Sequence, residues 1–145
     1  MTIHEHVVAA RSRLEHAGIE TCNAGIDAEA LARHALGWNR AHYFSHRHNV
    51  PHLSFDSCFE NLIARRERRE PLAFITGTRE FWSLQFDVSE GVLIPRPETE
   101  IIVKTVLDTI PDRTASFRIV DVGTGSGCLA VSLATEFPNA QVLAT

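Results

Sequence analysis

The sequence predicts an α/β protein, in which a small helical bundle precedes a β-hairpin and the opening of a doubly wound sheet. Three observations lead there. Residues 1–71 place apolar side chains at helical spacing between glycine and proline stops. Residues 72–95 alternate aromatic or β-branched side chains with polar ones. Residues 96–145 set a glycine-rich loop between an apolar run and a helical pattern.

The elements follow in order. Ile3, Val7, Ala10 and Leu14 share one face of a helix from Ile3 to Ala17, which Gly18 ends. Asp27 is the expected N-cap of a second helix carrying Leu31, Ala35 and Leu36 and stopped by Gly37. A short third helix covers Asn39 to Ser45, before the histidine-rich "HRHNVPHLS". Ser54 is the expected cap of a fourth, with Phe55, Phe59, Leu62, Ile63 and Arg66 inward and Pro71 closing it. The stretch "FITGTREFWSLQFDVSEGVLIP" reads as a hairpin or strand pair, in which Phe81 and Trp82 pack. Ile101, Ile102, Val106, Leu107 and Ile110 then recur on one helical face. After the loop "PDRTAS" come a buried strand, the glycine loop, a helix stopped by Pro138 and a second strand. "PNAQVLAT" stops inside an apolar alternation, so the expectation is an N-terminal piece of a longer protein.

Composition narrows the classes. Among 145 residues, 44% are apolar and 22% charged, as in a globular protein. A formal charge of −4 gives no support to an extended nucleic-acid surface. No apolar run reaches a membrane span, and the charged, helical N-terminus is unlike a signal peptide. Cys22, Cys58 and Cys128 are odd in number and widely spaced, which fits reduced cytosolic thiols.

"DVGTGSG" carries the chemistry. It follows a strand and opens a helix, where open α/β sheets bind ligands. No lysine follows the last glycine, so it is not a P-loop. Two registers remain open. From Gly125, "GSGCLA" fits the dinucleotide pattern G-x-G-x-x-A, although its first glycine lies four residues beyond Asp121. From Gly123 the pattern is acid-x-G-x-G-x-G, suited to S-adenosylmethionine. There Asp121 would attract the ammonium or sulfonium side, and the helix N-terminus would receive the carboxylate.

"GVLIPRPETE" raises a second question. Pro97 suits a first helical turn, and a residue before proline is pushed towards the extended conformation of an N-cap. Yet Arg96 has no acceptor with which to cap, and it sits at the end of the dipole that favours Glu98 and Glu100. It either pairs with Glu98 or Glu100 at the surface or shapes a site.

Together, "EPLAFITGTREFWSLQFDV", "GVLIPRPETE" and "IVDVGTGSGCLAVSLA" resemble, in order and spacing, the release-factor glutamine methyltransferases of the HemK/PrmC type. The likeness is clear from Glu70 onward; "DAEALARHALGWNR" is more loosely similar to that family's N-terminal domain. The resemblance implies a helical substrate-recognition domain (1–71), a β-hairpin linker (72–95) and the start of a Rossmann-like methyltransferase domain (96–145). It implies methyl transfer from S-adenosylmethionine to the glutamine amide of the Gly-Gly-Gln motif in peptide-chain release factors, by a cytoplasmic monomer. Gly123, Thr124, Gly125, Ser126 and Gly127 would form the cofactor loop above Asp121, with Arg96, Pro97, Thr99 and Glu100 beside the substrate. The family's Asn-Pro-Pro-Tyr acceptors lie downstream and are absent here, so no catalytic residue is assigned and these residues alone are expected to be inactive.

His42, His46, His48 and His52 lack a cysteine or carboxylate to complete a zinc set and read as a solvated loop. Arg65, Arg66, Arg68 and Arg69 read as a solvated helix end complementing the dipole, with a docking patch for release factor or RNA as the alternative. The competing functions are an adenine-amino methyltransferase of nucleic acid, a nicotinamide-dependent oxidoreductase and a non-catalytic binding module.

Overall fold

A computed structural model describes residues 1–145, which form two compact units, Met1–Thr76 and Gly77–Thr145. The first is entirely helical. Helix α1 (Ile3–His16) opens on a capping box: Thr2 accepts from the Glu5 N–H while the Glu5 carboxylate accepts from the Thr2 N–H. Its inward face is the expected one, with Ile3, Val7, Ala10 and Leu14 buried. Gly18 follows at φ +82°, where a side chain would be strained. The Arg69 guanidinium donates to the Gly18 carbonyl at 2.6 Å, closing this turn against the end of the fourth helix.

Helix α2 (Thr21–Leu36) departs from expectation. It starts six residues before Asp27, and Glu20 at its N-cap makes no side-chain bond. Asp27 is buried mid-helix, because Arg66 Nε donates to its Oδ2 at 2.8 Å. A carboxylate with a buried cationic partner does not need a cap position. Helix α3 (Arg40–His46) is capped by Asn39, whose Oδ1 accepts from the His42 N–H at 2.9 Å. Helix α4 (Ser54–Glu67) has Ser54 as its first helical residue, with Leu53 at the N-cap. Ser54 is therefore no cap; its hydroxyl instead meets His52 Nδ1 at 3.2 Å. The inward Phe55, Phe59, Leu62 and Ile63 are buried as expected. A fifth helix, α5 (Leu72–Thr76), occupies the first residues of the expected hairpin segment and belongs to the helical unit. There Ala73 and Ile75 find burial that an exposed strand would not give them.

One apolar core unites these helices, centred on Leu14, Leu31, Tyr43, Phe59 and Ile63. Burial pushes the Tyr43 phenol above its ordinary range. The basic run is mostly engaged. Arg65 pairs with Glu70, Arg66 with Asp27 and the Glu70 carbonyl, and Arg69 with Gly18.

The second unit is α/β. Strands β1 (Thr78–Phe81) and β2 (Leu84–Asp87) form the expected hairpin, antiparallel, with Phe81 opposite Leu84. Its two-residue turn is Trp82–Ser83, with φ +51° and +59°. Both lie in the left-handed region of a type I′ turn, normally the place of Asn or Gly. A 3₁₀ turn (Pro97–Thr99) leads into helix α6 (Glu100–Thr109). Val103 is buried there and Val106, Leu107 and Ile110 pack beside it, whereas Ile101 and Ile102 face outward. The true inward stripe thus runs through Val103, one residue from the expected position.

Strand β3 (Arg118–Asp121), helix α7 (Cys128–Glu136) and strand β4 (Gln141–Ala144) complete the unit; β3 and β4 pair in parallel, Ile119 opposite Val142. Helix α7 packs on both strands, and Phe81, Phe86, Val103, Leu133 and Phe137 form the core. Strand β3 reads as buried in the sequence, but Val120 and its β4 partner Leu143 are 61% and 60% exposed. Helices cover only one face of this two-stranded sheet, so successive residues alternate between core and solvent.

Candidate functional site

The site is built where β3 ends. Left-handed glycines at 123, 125 and 127 turn the chain from Asp121 into α7, with φ of +78°, +57° and +78°. Three such residues in alternation are cheap only for glycine. A Cβ built on Gly123 or Gly125 meets nothing within 4 Å, so protein packing does not require glycine there. Backbone conformation does, and each Cβ would project into open space.

Hydrogen bonds set the loop's shape. Thr124 Oγ1 donates to Asp121 Oδ2 at 2.8 Å, which fixes the carboxylate beneath the loop. The Gly123 and Thr124 N–H groups donate to the Thr145 carbonyl at 2.8 and 3.0 Å, and Gly127 N–H donates to Thr124 O at 2.9 Å. Three loop amides are thereby engaged within the fold. Gly127 caps α7 without a side-chain bond, so the positive end of that helix lacks a side-chain acceptor.

A cavity of about 140 Å³ opens here. Its wall joins Asp121, Gly123, Thr124, Gly125 and Ser126 to Arg96 and Thr99, with Pro95, Cys128 and Leu129 between them. Two segments some 25 residues apart in sequence thus meet at one cavity. Arg96 has the extended N-cap geometry expected before Pro97, at φ −97° and ψ 139°. It is exposed and faces the cavity rather than pairing with Glu98 or Glu100.

The remaining expected site residues lie elsewhere. Gly127 sits behind the cavity as the helix cap. Pro97 and Glu100 line a separate depression with Trp82, Glu98, Ile101 and Lys104. There the Glu100 carboxylate accepts from the Trp82 backbone N–H at 2.9 Å. Sequence reasoning missed this bond, and also Glu136, whose Oε1 accepts from the Trp82 indole at 2.7 Å. The one available signal was an aromatic residue at a two-residue hairpin turn without Gly or Asn. In the other unit, His42 and His46 stack at 4.1 Å beside Trp38, while His52 turns to Ser54.

The profile described as the PrmC N-terminal domain matches residues 5–77, a little over half of the chain and nearly coincident with the helical unit. The chain belongs to the PrmC family. This PrmC-family chain is 47% identical over 119 residues to the release factor glutamine methyltransferase of Burkholderia pseudomallei, covering 82% of the chain and 41% of that protein. It is 40% identical over 144 residues to the protein of the same name from Koribacter versatilis, covering 99% and 50%. With the Escherichia coli protein of that name it shares 41% identity over 120 residues, covering 81% and 42%. The chain therefore spans half or less of the length of these relatives. No helix is long and apolar enough to cross a membrane.

Proposed function

We propose that the β3–α7 loop is the donor site for S-adenosylmethionine in a Rossmann-like domain. The protein to which this site belongs would transfer a methyl group to a glutamine side-chain amide of a peptide-chain release factor, in its Gly-Gly-Gln motif, in the cytoplasm. The observation that carries this reading is the single cavity shared by Asp121, the 123–126 loop, Arg96 and Thr99.

The residues fit such a group. The Asp121 carboxylate offers a counter-charge for an ammonium or sulfonium, and the uncapped start of α7 offers one for a carboxylate. Gly123 and Gly125 line the cavity without a Cβ. Strand β3 ends at Asp121 and the chain turns at Gly123, which supports the methyl-donor register over the dinucleotide register that begins two residues later. The cavity is smaller than the roughly 300–1,000 Å³ that encloses a whole ligand of this size, so it holds one end of the cofactor and binds weakly.

When bound, the cofactor would supply an electrophilic methyl: its S–CH3 bond breaks as the amide nitrogen gains the methyl, a neutral thioether leaves, and the nitrogen loses a proton. An amide nitrogen is a poor nucleophile because its lone pair is delocalised, so alignment does most of the catalytic work. Asp121, Thr124 and the loop fix the donor end, while Arg96, held between Pro95 and Pro97, borders the approach to it. No residue of this chain is assigned as an acceptor for the amide protons.

Titration of the isotopically labelled chain, followed by NMR, tests this. S-adenosylmethionine should shift amides of residues 121–128 together with Arg96 and Thr99, and NADH should not. Asp121→Asn should weaken the response about tenfold or more, through loss of one charged contact. Saturable NADH binding at the loop without a response to S-adenosylmethionine would overturn the reading.

A further inference from the structure

The hairpin tip is held in a way its own sequence does not explain. Trp82 and Ser83 both have positive φ, 51° and 59°, and neither is a residue that adopts this conformation readily. Two carboxylates from other elements hold the tip. Glu100 Oε1 accepts the Trp82 backbone N–H at 2.9 Å, and Glu136 Oε1 accepts the indole N–H at 2.7 Å. Neither bond is local, since the partners are 18 and 54 residues from Trp82.

The ends of the elements bearing these carboxylates matter. Glu100 is the first residue of α6, and directly before it lies the 3₁₀ turn closed by Thr99 N–H on Arg96 O at 3.0 Å. Arg96 and Thr99, the two ends of that turn, are the residues that face the glycine cavity. Pro97, Glu98 and Glu100 face the opposite side, against Trp82. The turn is therefore a thin wall with the cavity on one side and the hairpin tip on the other. Glu136 ends α7, whose first residues, Cys128 and Leu129, line the same cavity. The tip of one hairpin thus tethers the start of α6 and the end of α7, which carry the two sides of the cavity.

We propose that Glu100 is a positioning residue: by anchoring on the Trp82 N–H it sets where Arg96 and Thr99 stand over the glycine loop. Glu136 does the same for Trp82 itself, through the indole. The Pro97–Thr99 wall has no buried side chain of its own to fix it, so without the anchor it swings on Pro95 and the helix start. The assignment rests on the donor-site reading for its consequence in binding, but not for the tether itself.

The test uses the full chain with Glu100→Ala, Glu100→Gln, Trp82→Phe and Glu136→Ala. Glutamine at 100 keeps a carbonyl oxygen that can accept from an N–H, so it should rescue what alanine loses. Amide hydrogen exchange is read first, without any ligand. Glu100→Ala should speed exchange at Trp82 and Thr99 about tenfold or more, from loss of a charge-assisted bond. Glu100→Gln should stay near the parent, as should core amides of the helical unit such as Leu14 and Ile63 in every variant. Titration with S-adenosylmethionine is read second, where Glu100→Ala should weaken binding several-fold while the loop amides still report a folded site. Trp82→Phe should resemble Glu136→Ala, since both remove the indole bond. Exchange at Thr99 unchanged in Glu100→Ala would overturn the tether. Faster exchange with unchanged cofactor affinity would overturn the positioning role. A parent chain that ignores S-adenosylmethionine would instead sink the donor-site reading, and the exchange data would still decide the tether.

Discussion

Replacing Arg66 with methionine should cost the helical unit much of its stability, and the structure says why. The Asp27 side chain is 9% exposed and that of Arg66 16%, with Nε 2.8 Å from Oδ2. Methionine keeps most of the arginine stem but leaves Asp27 charged in a nearly closed environment. Breaking such a pair from one side costs roughly 3–5 kcal/mol, and the residual exposure of Asp27 places this case near 3. At roughly 0.05–0.15 kcal/mol per residue, a unit this size is stable by only about 4–11 kcal/mol. The loss is then a quarter to three-quarters of the whole, a fall in Tm of roughly 12–24 °C. Tyr43 is the only tyrosine and is buried in this unit's core, so ¹⁹F NMR of fluorotyrosine-labelled chain follows this unit alone. Asp27→Asn combined with Arg66→Met removes the stranded charge and should recover more than half the loss. An Arg66→Met midpoint within about 2 °C of the parent would refute the reasoning, as would a double variant no better than the single one.

Two further outcomes concern acid and the glycine loop. Hydrogen bonding from Arg65 holds the Glu70 carboxyl below its ordinary 4.5, and the Thr2 backbone N–H does the same for Glu5. Their stabilisation is therefore present above 4.5 and lost as pH falls through the lower folded values. Urea midpoints should decline on acidification, and Glu70→Gln should flatten that decline; an equally steep curve would contradict it. Gly125→Ala should destabilise the second unit by about 1–2 kcal/mol in urea melts, because φ is +57° while the added Cβ meets no atom. A loss well above that would mean that packing, not backbone conformation, selects glycine.

Much of this molecule was written locally. Ile3, Val7, Ala10 and Leu14 repeat at helical spacing, and they are the buried face of α1. The alternation around Phe81 and Phe86 gave the hairpin, and the three glycines gave the left-handed turn after Asp121. These features depend on residues within one or two turns of each other, and a sequence records such neighbours directly. Charges were the failures. Asp27 looked like a cap because aspartate usually caps, but Arg66, 39 residues away, neutralises it inside the core. The Glu100 bond to the Trp82 N–H, 18 residues away, was likewise invisible in the sequence. Periodicity determined which side of each element is apolar. Packing alone decided which charge meets which donor, because hydrogen bonding is short-ranged in space and indifferent to distance along the chain.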